Sequence, residues 1–283
     1  MEISKVGVIG GGTMGSGIAE VCAKSGLDTI VVEADAGAAE AAQSRINGSM
    51  DKAVARERLS DDDRNAAAGR LSYVTDLSDL AECDLVIEAI IENEEIKLDL
   101  FRRLDEILPE HAILASNTSS IPIINLATAT KRPGQVIGLH FFNPATVQKL
   151  CEIVVSIATD EGVIARSTTF AEEALGKTTI VAQDRAGFIV NRLLVPYLLQ
   201  AIALFDTGQA SREDIDDGMK FGCAHPMGPL TLCDLIGLDT IKSVADVLYE
   251  EFKEPTYAPP PLLKRMVAGG MLGRKSGRGF YDY

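Results

Sequence analysis

A glycine-rich turn near the start of the chain constrains the fold most. Residues 10–15 read Gly10-Gly11-Gly12-Thr13-Met14-Gly15, after a short apolar run at residues 6–9 of the kind that forms a buried strand. Residues 16–25 follow with the apolar spacing of a buried helix. A Gly-x-Gly-x-x-Gly turn between a strand and a helix predicts the first unit of a dinucleotide-binding sheet, whereas a glycine turn without that setting is a weak signal.

Each glycine of this pattern has a separate physical role. Gly10 permits the tight turn, Gly12 lets the backbone approach a pyrophosphate, and Gly15 lets the helix pack close to the strand. The helix N-terminus at Thr13 and Met14 then offers free N–H groups to the phosphates. The alternative is a purely structural glycine turn.

An acidic residue follows the second predicted strand at residues 27–32. Glu33 lies 18 residues after the last glycine, where a carboxylate can accept hydrogen bonds from the adenosine ribose hydroxyls. A carboxylate there repels a 2′-phosphate. The sequence therefore predicts NAD as the cofactor in preference to NADP.

Strand-like and helix-like segments continue to alternate to about Asp184. Residues 36–58 and 61–69 predict two helices that form a hairpin. The other predicted strands are residues 71–75, 84–88, 113–116, 136–142 and 150–157, with a helix at 94–108. This alternation predicts an α/β fold of the Rossmann type, with a mostly parallel sheet and helices on both faces.

The pattern changes after Asp184 and becomes helical. Residues 187–206 predict one long apolar helix interrupted at Pro196, and Ser211 predicts the cap of another. Residues 230–249 and 261–268 also read as helices. We therefore predict two domains, an NAD-binding domain at residues 1–184 and an all-α domain at residues 185–283.

The charge and the cysteines exclude several classes of function. Acidic residues exceed basic ones by 41 to 27, and the net charge of −14 argues against binding to nucleic acid or to an anionic membrane. No apolar run approaches the ~18 residues that span a bilayer. The five cysteines include no close pair, which predicts reduced thiols, no metal site and a cytoplasmic location.

Three polar clusters follow predicted strands, at residues 88–92, 116–120 and 140–143. In a parallel sheet such clusters meet at the carboxyl edge, where ligands bind. His140 is one of only three histidines, and Glu152 lies on the next apolar run. A histidine exchanges protons near neutral pH, and a carboxylate partner fixes its tautomer and stabilises its charged form. A core histidine that hydrogen-bonds a backbone carbonyl is the alternative.

Two further groups of residues have an open interpretation. Ser49, Lys52 and Arg56 have the spacing i, i+3, i+7 and share one face of a helix. They could bind a phosphorylated ligand or form an ordinary solvated face. Asn191 lies among apolar residues, so its amide is either a structural hydrogen-bond centre or a substrate contact.

Taken together, these motifs resemble the short-chain L-3-hydroxyacyl-CoA dehydrogenases, closest to the bacterial 3-hydroxybutyryl-CoA dehydrogenases. The resemblance covers essentially the whole chain. It rests on residues 10–15, 86–89, 116–120, 138–144 with Glu152, 184–192, 225–229 and 273–281.

The resemblance implies a reversible oxidation of (S)-3-hydroxyacyl-CoA by NAD. His140 matches the general base, Glu152 its partner carboxylate, and Ser119 and Asn191 the residues that orient the substrate. It also implies a homodimer formed through the helical second domain.

The resemblance further implies a set of binding residues. The implied NAD contacts are Gly10, Gly12, Thr13, Met14, Gly15, Glu33, Glu92, Lys97, Asn117, Ser119, Asn143 and Lys275. The implied acyl-CoA contacts are Ser49, Lys52, Arg56, Ser119 and Asn191, which favours the binding interpretation of the basic helix face.

The chain departs from the family pattern at a few positions. Gly11 stands where alanine is usual, and Glu33 where aspartate is common. Cys151 stands where valine is usual, and Ala145-Thr146 where Pro-Val is more usual. Both changes lie near the predicted site and are candidates for tuning the acyl group, whose length the sequence leaves open. Two other functions remain as alternatives. One is a sensor or crystallin-like protein that binds NAD without turnover, and the other is a dehydrogenase of a free hydroxy acid.

Overall fold

The computed structural model describes residues 3–283, so the first two residues of the predicted first domain lie outside the described part. The chain divides into two compact units. The first ends at Arg185 and the second comprises Ala186–Tyr283. None of the helices in the described range is long and apolar enough to cross a membrane.

The first unit contains a single eight-stranded sheet. Its strands are β1 (Lys5–Ile9), β2 (Asp28–Val32), β3 (Leu71–Val74), β4 (Leu85–Glu88), β5 (Ile113–Ser116), β6 (Val136–Phe141), β7 (Leu150–Val155) and β8 (Thr178–Gln183). Their order across the sheet is β3-β2-β1-β4-β5-β6-β7-β8. Only the β6–β7 pair is antiparallel within this sheet. The strand order reverses direction between β1 and β4, which is where such sheets bind their ligands.

Helices connect these strands. They are α1 (Thr13–Lys24), α2 (Ala36–Ala55), α3 (Asp61–Gly69), α4 (Glu94–Ile107), α5 (Ile123–Thr128) and α6 (Glu161–Thr169). Side chains fix several of their starts, since Asp35 caps α2 by accepting from the Ala38 N–H and Asn93 caps α4 by accepting from the Ile96 N–H. The predicted Rossmann-type fold and helix hairpin are confirmed.

A large part of the core of the first unit lies between the central strands and the helices α1 and α2. Val6, Val8 and Ile87 of the central strands are completely buried, as are Ile18 of α1 and Ile46 of α2. Each such side chain contributes about 1.5–3 kcal/mol when it leaves water. The central strands therefore form a rigid base for the loops at their carboxyl ends.

The second unit is helical, as predicted. It contains α7 (Val190–Asp206), α8 (Arg212–Gly222), α9 (Pro229–Ile236), α10 (Leu238–Phe252) and α11 (Pro261–Ala268). Its separate core includes the fully buried side chains of Leu198, Leu230, Leu238 and Leu248. The predicted cap of α8 is confirmed, because the Ser211 hydroxyl accepts a hydrogen bond from the Asp214 N–H.

Some predicted helix boundaries were wrong. The helix predicted at 187–206 begins only at Val190, because Gly187 (φ 73°) and Phe188 (φ 47°) are left-handed. It then runs through Pro196, where burial of its apolar face compensates for the lost hydrogen bond. The helix predicted at 230–249 is instead two helices separated by Gly237 (φ 103°).

One strand was missed altogether. β8 (Thr178–Gln183) pairs in parallel with β7 at the edge of the sheet. Its residues are mostly half-buried or exposed, so it lacks the continuous apolar run that identified the central strands.

Candidate active site

The glycine turn has the geometry of an anion cradle. Gly10 has a φ of 90°, and a Cβ on Gly15 would lie 1.7 Å from the Gly10 carbonyl oxygen, so only glycine fits either position. Gly12 is exposed, and a Cβ there would meet no atom within 4 Å. α1 starts at Thr13 without a side-chain cap or an acidic residue in its first turn. Its N–H groups are therefore available to a pyrophosphate.

Glu33, directly after β2, approaches this turn. Its Oε1 accepts a hydrogen bond from the Gly11 N–H at 2.5 Å. A Cβ on Gly11 would lie 2.9 Å from that oxygen and 2.4 Å from the Ala42 Cβ on α2. Glycine is therefore required where alanine is usual in the family, because the longer glutamate and α2 both come close. A carboxylate at this strand end suits an adenosine ribose, so the residues fit NAD.

The sheet register brings His140 and Glu152 together. They are directly opposite each other in the antiparallel β6–β7 pair, so their side chains lie on one face of the sheet. The His140 Nδ1 lies 2.6 Å from the Glu152 Oε2, and their side chains are 7% and 0% exposed. The Phe142 ring packs beside the imidazole, with 4.6 Å between centroids. The His140 partner is thus a carboxylate, as the sequence suggested, and the pair is shielded from water.

A buried ion pair joins α4 to the end of β4, and a hydrogen bond joins the same carboxylate to the end of β5. Lys97 of α4 is 1% exposed, and its Nζ lies 3.0 Å from the Glu88 Oε1 and 2.7 Å from the Glu92 Oε2. The Ser116 hydroxyl donates to the other Glu88 oxygen at 2.6 Å, and the Ile90 N–H donates to Oε1 at 2.7 Å. Lys97 therefore has a carboxylate on each of two sides. Its contact with NAD stays a prediction.

Glu92 organises the loop after β5. Its Oε1 accepts from the hydroxyls of Thr118 and Ser120, the latter at 2.7 Å, and from the Ser119 N–H at 3.3 Å. Burial alone would raise the pKa of Glu92, but the Lys97 ammonium and the hydroxyl donors outweigh it and the pKa is lowered. Glu92 is therefore ionised and positions Ser119 at the edge of the sheet.

Asn117 ties β5 to the histidine strand. Its Oδ1 accepts from the Phe141 N–H at 2.9 Å, one residue after His140. Its own N–H donates to the Glu88 carbonyl at 2.9 Å. The carboxyl ends of β4, β5 and β6 thus form one hydrogen-bonded edge, and Asn143 follows it as an exposed residue.

Sequence reasoning missed Lys177, which supports the turn between β6 and β7. Its Nζ donates to the carbonyl oxygens of Ala145 at 2.6 Å and Gln148 at 2.7 Å. No local pattern identifies it, because its partners lie about thirty residues earlier in the chain. Cys151 in β7 is buried, and this burial raises the pKa of its thiol to about 12, so it stays protonated.

The remaining predicted residues lie elsewhere. Ser49 and Lys52 are on α2 and Arg56 is its C-cap, with Lys52 and Arg56 exposed. In the second unit, Asn191 is the second residue of α7. Lys275 lies in a short turn of that unit, and its Nζ donates to Asp239 at 2.5 Å. Their roles toward ligands stay predictions.

Comparisons with known proteins agree with this architecture. Residues 5–185 match the family model for the 3-hydroxyacyl-CoA dehydrogenase NAD binding domain, and residues 187–283 match the model for its C-terminal domain. A 3-hydroxybutyryl-CoA dehydrogenase of Mycobacterium tuberculosis is 51% identical over 282 residues, covering 99% of each chain.

Two crystal structures are also similar. FadB2 of M. tuberculosis superposes with a TM-score of 0.99 at 51% identity, over all of both chains. The (S)-3-hydroxybutyryl-CoA dehydrogenase PaaH1 of Ralstonia eutropha has a TM-score of 0.95 at 43% identity, over 100% of this chain and 99% of that one.

These findings confirm the resemblance, the enzyme class and NAD as the cofactor. The chain belongs to the 3-hydroxyacyl-CoA dehydrogenase family of NAD-dependent oxidoreductases.

Proposed function

We propose that this chain reversibly oxidises (S)-3-hydroxyacyl-CoA to 3-oxoacyl-CoA with His140 and Glu152 as the acid/base pair. The 2.6 Å contact between the His140 Nδ1 and the Glu152 Oε2 is the observation that carries this proposal. The pair is buried, and His140 is the penultimate residue of β6, near the sheet edge where the glycine turn also lies.

The chemistry divides between the cofactor and the protein. NAD held at the glycine turn would supply the acceptor for the hydride that leaves C3 of the substrate. With Glu152 ionised, Nδ1 of the neutral ring carries the proton and donates to the carboxylate, so Nε2 holds the lone pair. Nε2 takes the proton of the 3-hydroxyl during oxidation, and Glu152 stabilises the resulting imidazolium. In the reverse direction the imidazolium returns that proton to the 3-oxo oxygen.

We propose the following residues for binding. The pyrophosphate cradle is the turn from Gly10 to Gly15, and Glu33 receives the adenosine ribose. The remaining proposed contacts with NAD are Glu92, Lys97, Asn117, Ser119, Asn143 and Lys275, and Ser119 and Asn191 orient the acyl thioester. Glu92 and Asn117 are supported by their places in the hydrogen-bonded sheet edge.

A four-carbon acyl group is the proposed substrate. The M. tuberculosis and R. eutropha relatives are named for 3-hydroxybutyryl-CoA, and the similarity to each extends over at least 99% of this chain. Initial rates with 3-hydroxyacyl-CoA thioesters of increasing chain length, and with carboxylated ones, measure this preference.

Glu152→Gln tests the pairing. The amide NH₂ of glutamine can donate to Nδ1, which would place the ring proton on Nε2 and block proton acceptance there. We expect turnover to fall about 10- to 100-fold, a part of what positioned proton transfer contributes. Steady-state assays with acetoacetyl-CoA and NADH measure it. Glu82→Gln is the control, because Glu82 is 82% exposed, and equal turnover in both variants would contradict the pairing.

Arg56→Ala tests the basic face of α2 as a coenzyme A contact. We expect KM for the CoA thioester to rise about tenfold, the scale of one charge-assisted contact. The KM for the matching pantetheine thioester should stay constant, because it lacks the nucleotide phosphates. Arg102→Ala, exposed on α4, is the control. A parallel rise with both substrates would contradict a nucleotide contact.

We also propose a homodimer formed through the second unit and a cytoplasmic location. Large apolar side chains are exposed on that unit, including Leu193 (71%), Phe221 (80%) and Leu235 (48%). Exposed apolar surface of this kind commonly marks a protein interface. All five cysteines are free thiols, which suits a reducing compartment.

A further inference from the structure

We propose that Arg45 is a cofactor-positioning residue and that its guanidinium can bind a 2′-phosphate, so that Glu33 alone makes this enzyme exclude NADP. The inference rests on the proposed placement of NAD on the glycine turn. It concerns a residue on the third turn of α2 that belongs to no motif in the sequence.

The peptide groups of Gly11 lie between two opposite charges. The Gly11 N–H donates to the Glu33 Oε1 at 2.5 Å. The Gly11 carbonyl oxygen accepts from the Arg45 Nη1 and from the Ser16 hydroxyl, the latter at 2.6 Å. Arg45 and Glu33 together therefore fix the orientation of the second glycine in the turn.

Arg45 also places its guanidinium among uncharged acceptors beside that turn. Its guanidinium contacts the Gly11 carbonyl and, at 3.5 Å, the Ser16 hydroxyl, both of which are uncharged. Two other arginines of the first unit contact carboxylates instead, Arg64 with Asp51 and Arg132 with Asp105. In a chain of net charge −14, this cation is placed where an anionic ligand is expected.

The same geometry explains how the cofactor is selected. Glu33 and Arg45 both hydrogen-bond to Gly11, so both charges act on a ligand group that binds beside this residue. In dinucleotide-binding sheets an acid at the end of β2 selects the ribose hydroxyl, and an arginine nearby accommodates a 2′-phosphate. This chain has both groups. The carboxylate repels the phosphate, and its removal leaves Arg45 as a planar phosphate-binding group.

A double-mutant cycle tests this inference by binding as well as by activity. The fluorescence of NADH and NADPH is titrated with the wild type, Glu33→Gln, Arg45→Met and the double variant, after circular dichroism has shown that each is folded. We expect Arg45→Met to weaken NADH about three- to tenfold. Glu33→Gln should tighten NADPH by at least about tenfold, and the double variant should lose that gain. Arg102→Met is the control for loss of an exposed arginine and should bind NADH as the wild type does.

The outcomes separate the two proposals. If the double variant binds NADPH as tightly as Glu33→Gln, or if Glu33→Gln gains no affinity for NADPH, the role of Arg45 is wrong while the NAD site stands. If the wild type itself fails to bind NADH, the placement of NAD is wrong and the inference falls with it.

Discussion

Replacing His140 with glutamine is expected to lower turnover by about 10²- to 10⁴-fold, the usual contribution of a positioned general base. Glutamine occupies a similar space on β6 but has no basic nitrogen to accept the hydroxyl proton. The glycine turn and Glu33 lie on other strands of the same sheet, so NADH affinity should stay close to that of the wild type. Steady-state turnover and a fluorescence titration with NADH measure the two effects separately.

His111→Gln is the matched control for this experiment. His111 also contacts a carboxylate, with its Nε2 3.3 Å from the Asp84 Oδ1, but its side chain is 39% exposed. Asp84 lies at the opposite end of β4 from Glu88, far from the sheet edge described above. Turnover of His111→Gln should equal that of the wild type. A His140→Gln enzyme with turnover like this control would contradict the proposed base.

Lys97→Met is expected to destabilise the protein by about 3–5 kcal/mol, the usual cost of removing one partner from a buried ion pair. The substitution leaves Glu88, which is completely buried, without its ammonium partner. It also removes the charge that keeps Glu92 ionised, so the loop carrying Ser119 should loosen. Urea denaturation followed by circular dichroism measures the loss, and NADH titration in the folded protein measures the effect on the loop.

Two comparisons make this prediction specific. Lys242→Met removes an ion pair between Lys242 and Asp246, in which the two side chains are 33% and 48% exposed. This loss should lower the free energy of unfolding by less than about 1 kcal/mol. Glu88→Gln combined with Lys97→Met removes the ammonium together with the completely buried one of its two carboxylate partners, and should recover part of the lost stability. A Lys97→Met protein as stable as Lys242→Met would show that the buried pair is not needed.

The sequence was sufficient for the parts of the site that depend on local pattern. The glycine turn is a contiguous motif, and strand periodicity placed His140 and Glu152 on two successive strands. Strand assignments alone do not determine register, which depends on the turn length and on how apolar residues alternate. The structure supplied that register and with it the direct opposition of the two side chains.

Contacts between distant segments were beyond sequence reasoning. The resemblance implied a contact of Lys97 with NAD, but no local pattern indicates that its Nζ is enclosed by Glu88 and Glu92. Arg45 likewise looks like a solvated position of α2, although it reaches the glycine turn 34 residues earlier. Such contacts follow from packing of whole elements, which local periodicity does not encode.

The first residue of α7 could not be predicted from the sequence either. Apolar periodicity extends back to Gly187, but the left-handed conformation of Phe188 delays the helix to Val190. Positive φ at a residue other than glycine has no reliable sequence signature. Asn191 therefore occupies the first turn of the helix, a position that periodicity had placed further inside it.

The structure explains why Gly11 and Glu33 depart together from the family pattern. A glutamate at position 33 reaches further than an aspartate, and its carboxylate then occupies space that an alanine Cβ at position 11 would need. The two departures noted in the sequence are therefore coupled through one contact. A Cβ at position 11 would also lie 2.4 Å from the Ala42 Cβ, so the requirement for glycine depends on the position of α2 as well.

A single-turnover experiment separates proton transfer by His140 from the binding of the cofactor. Enzyme loaded with NADH is mixed with acetoacetyl-CoA, and NADH absorbance is followed for the wild type and for His140→Gln. We expect rapid oxidation of the bound NADH by the wild type and a rate slower by about 10²-fold or more in His140→Gln, with NADH bound in both. Equal rates in the two proteins, or NADH that stays bound and unreacted in the wild type, would contradict this expectation.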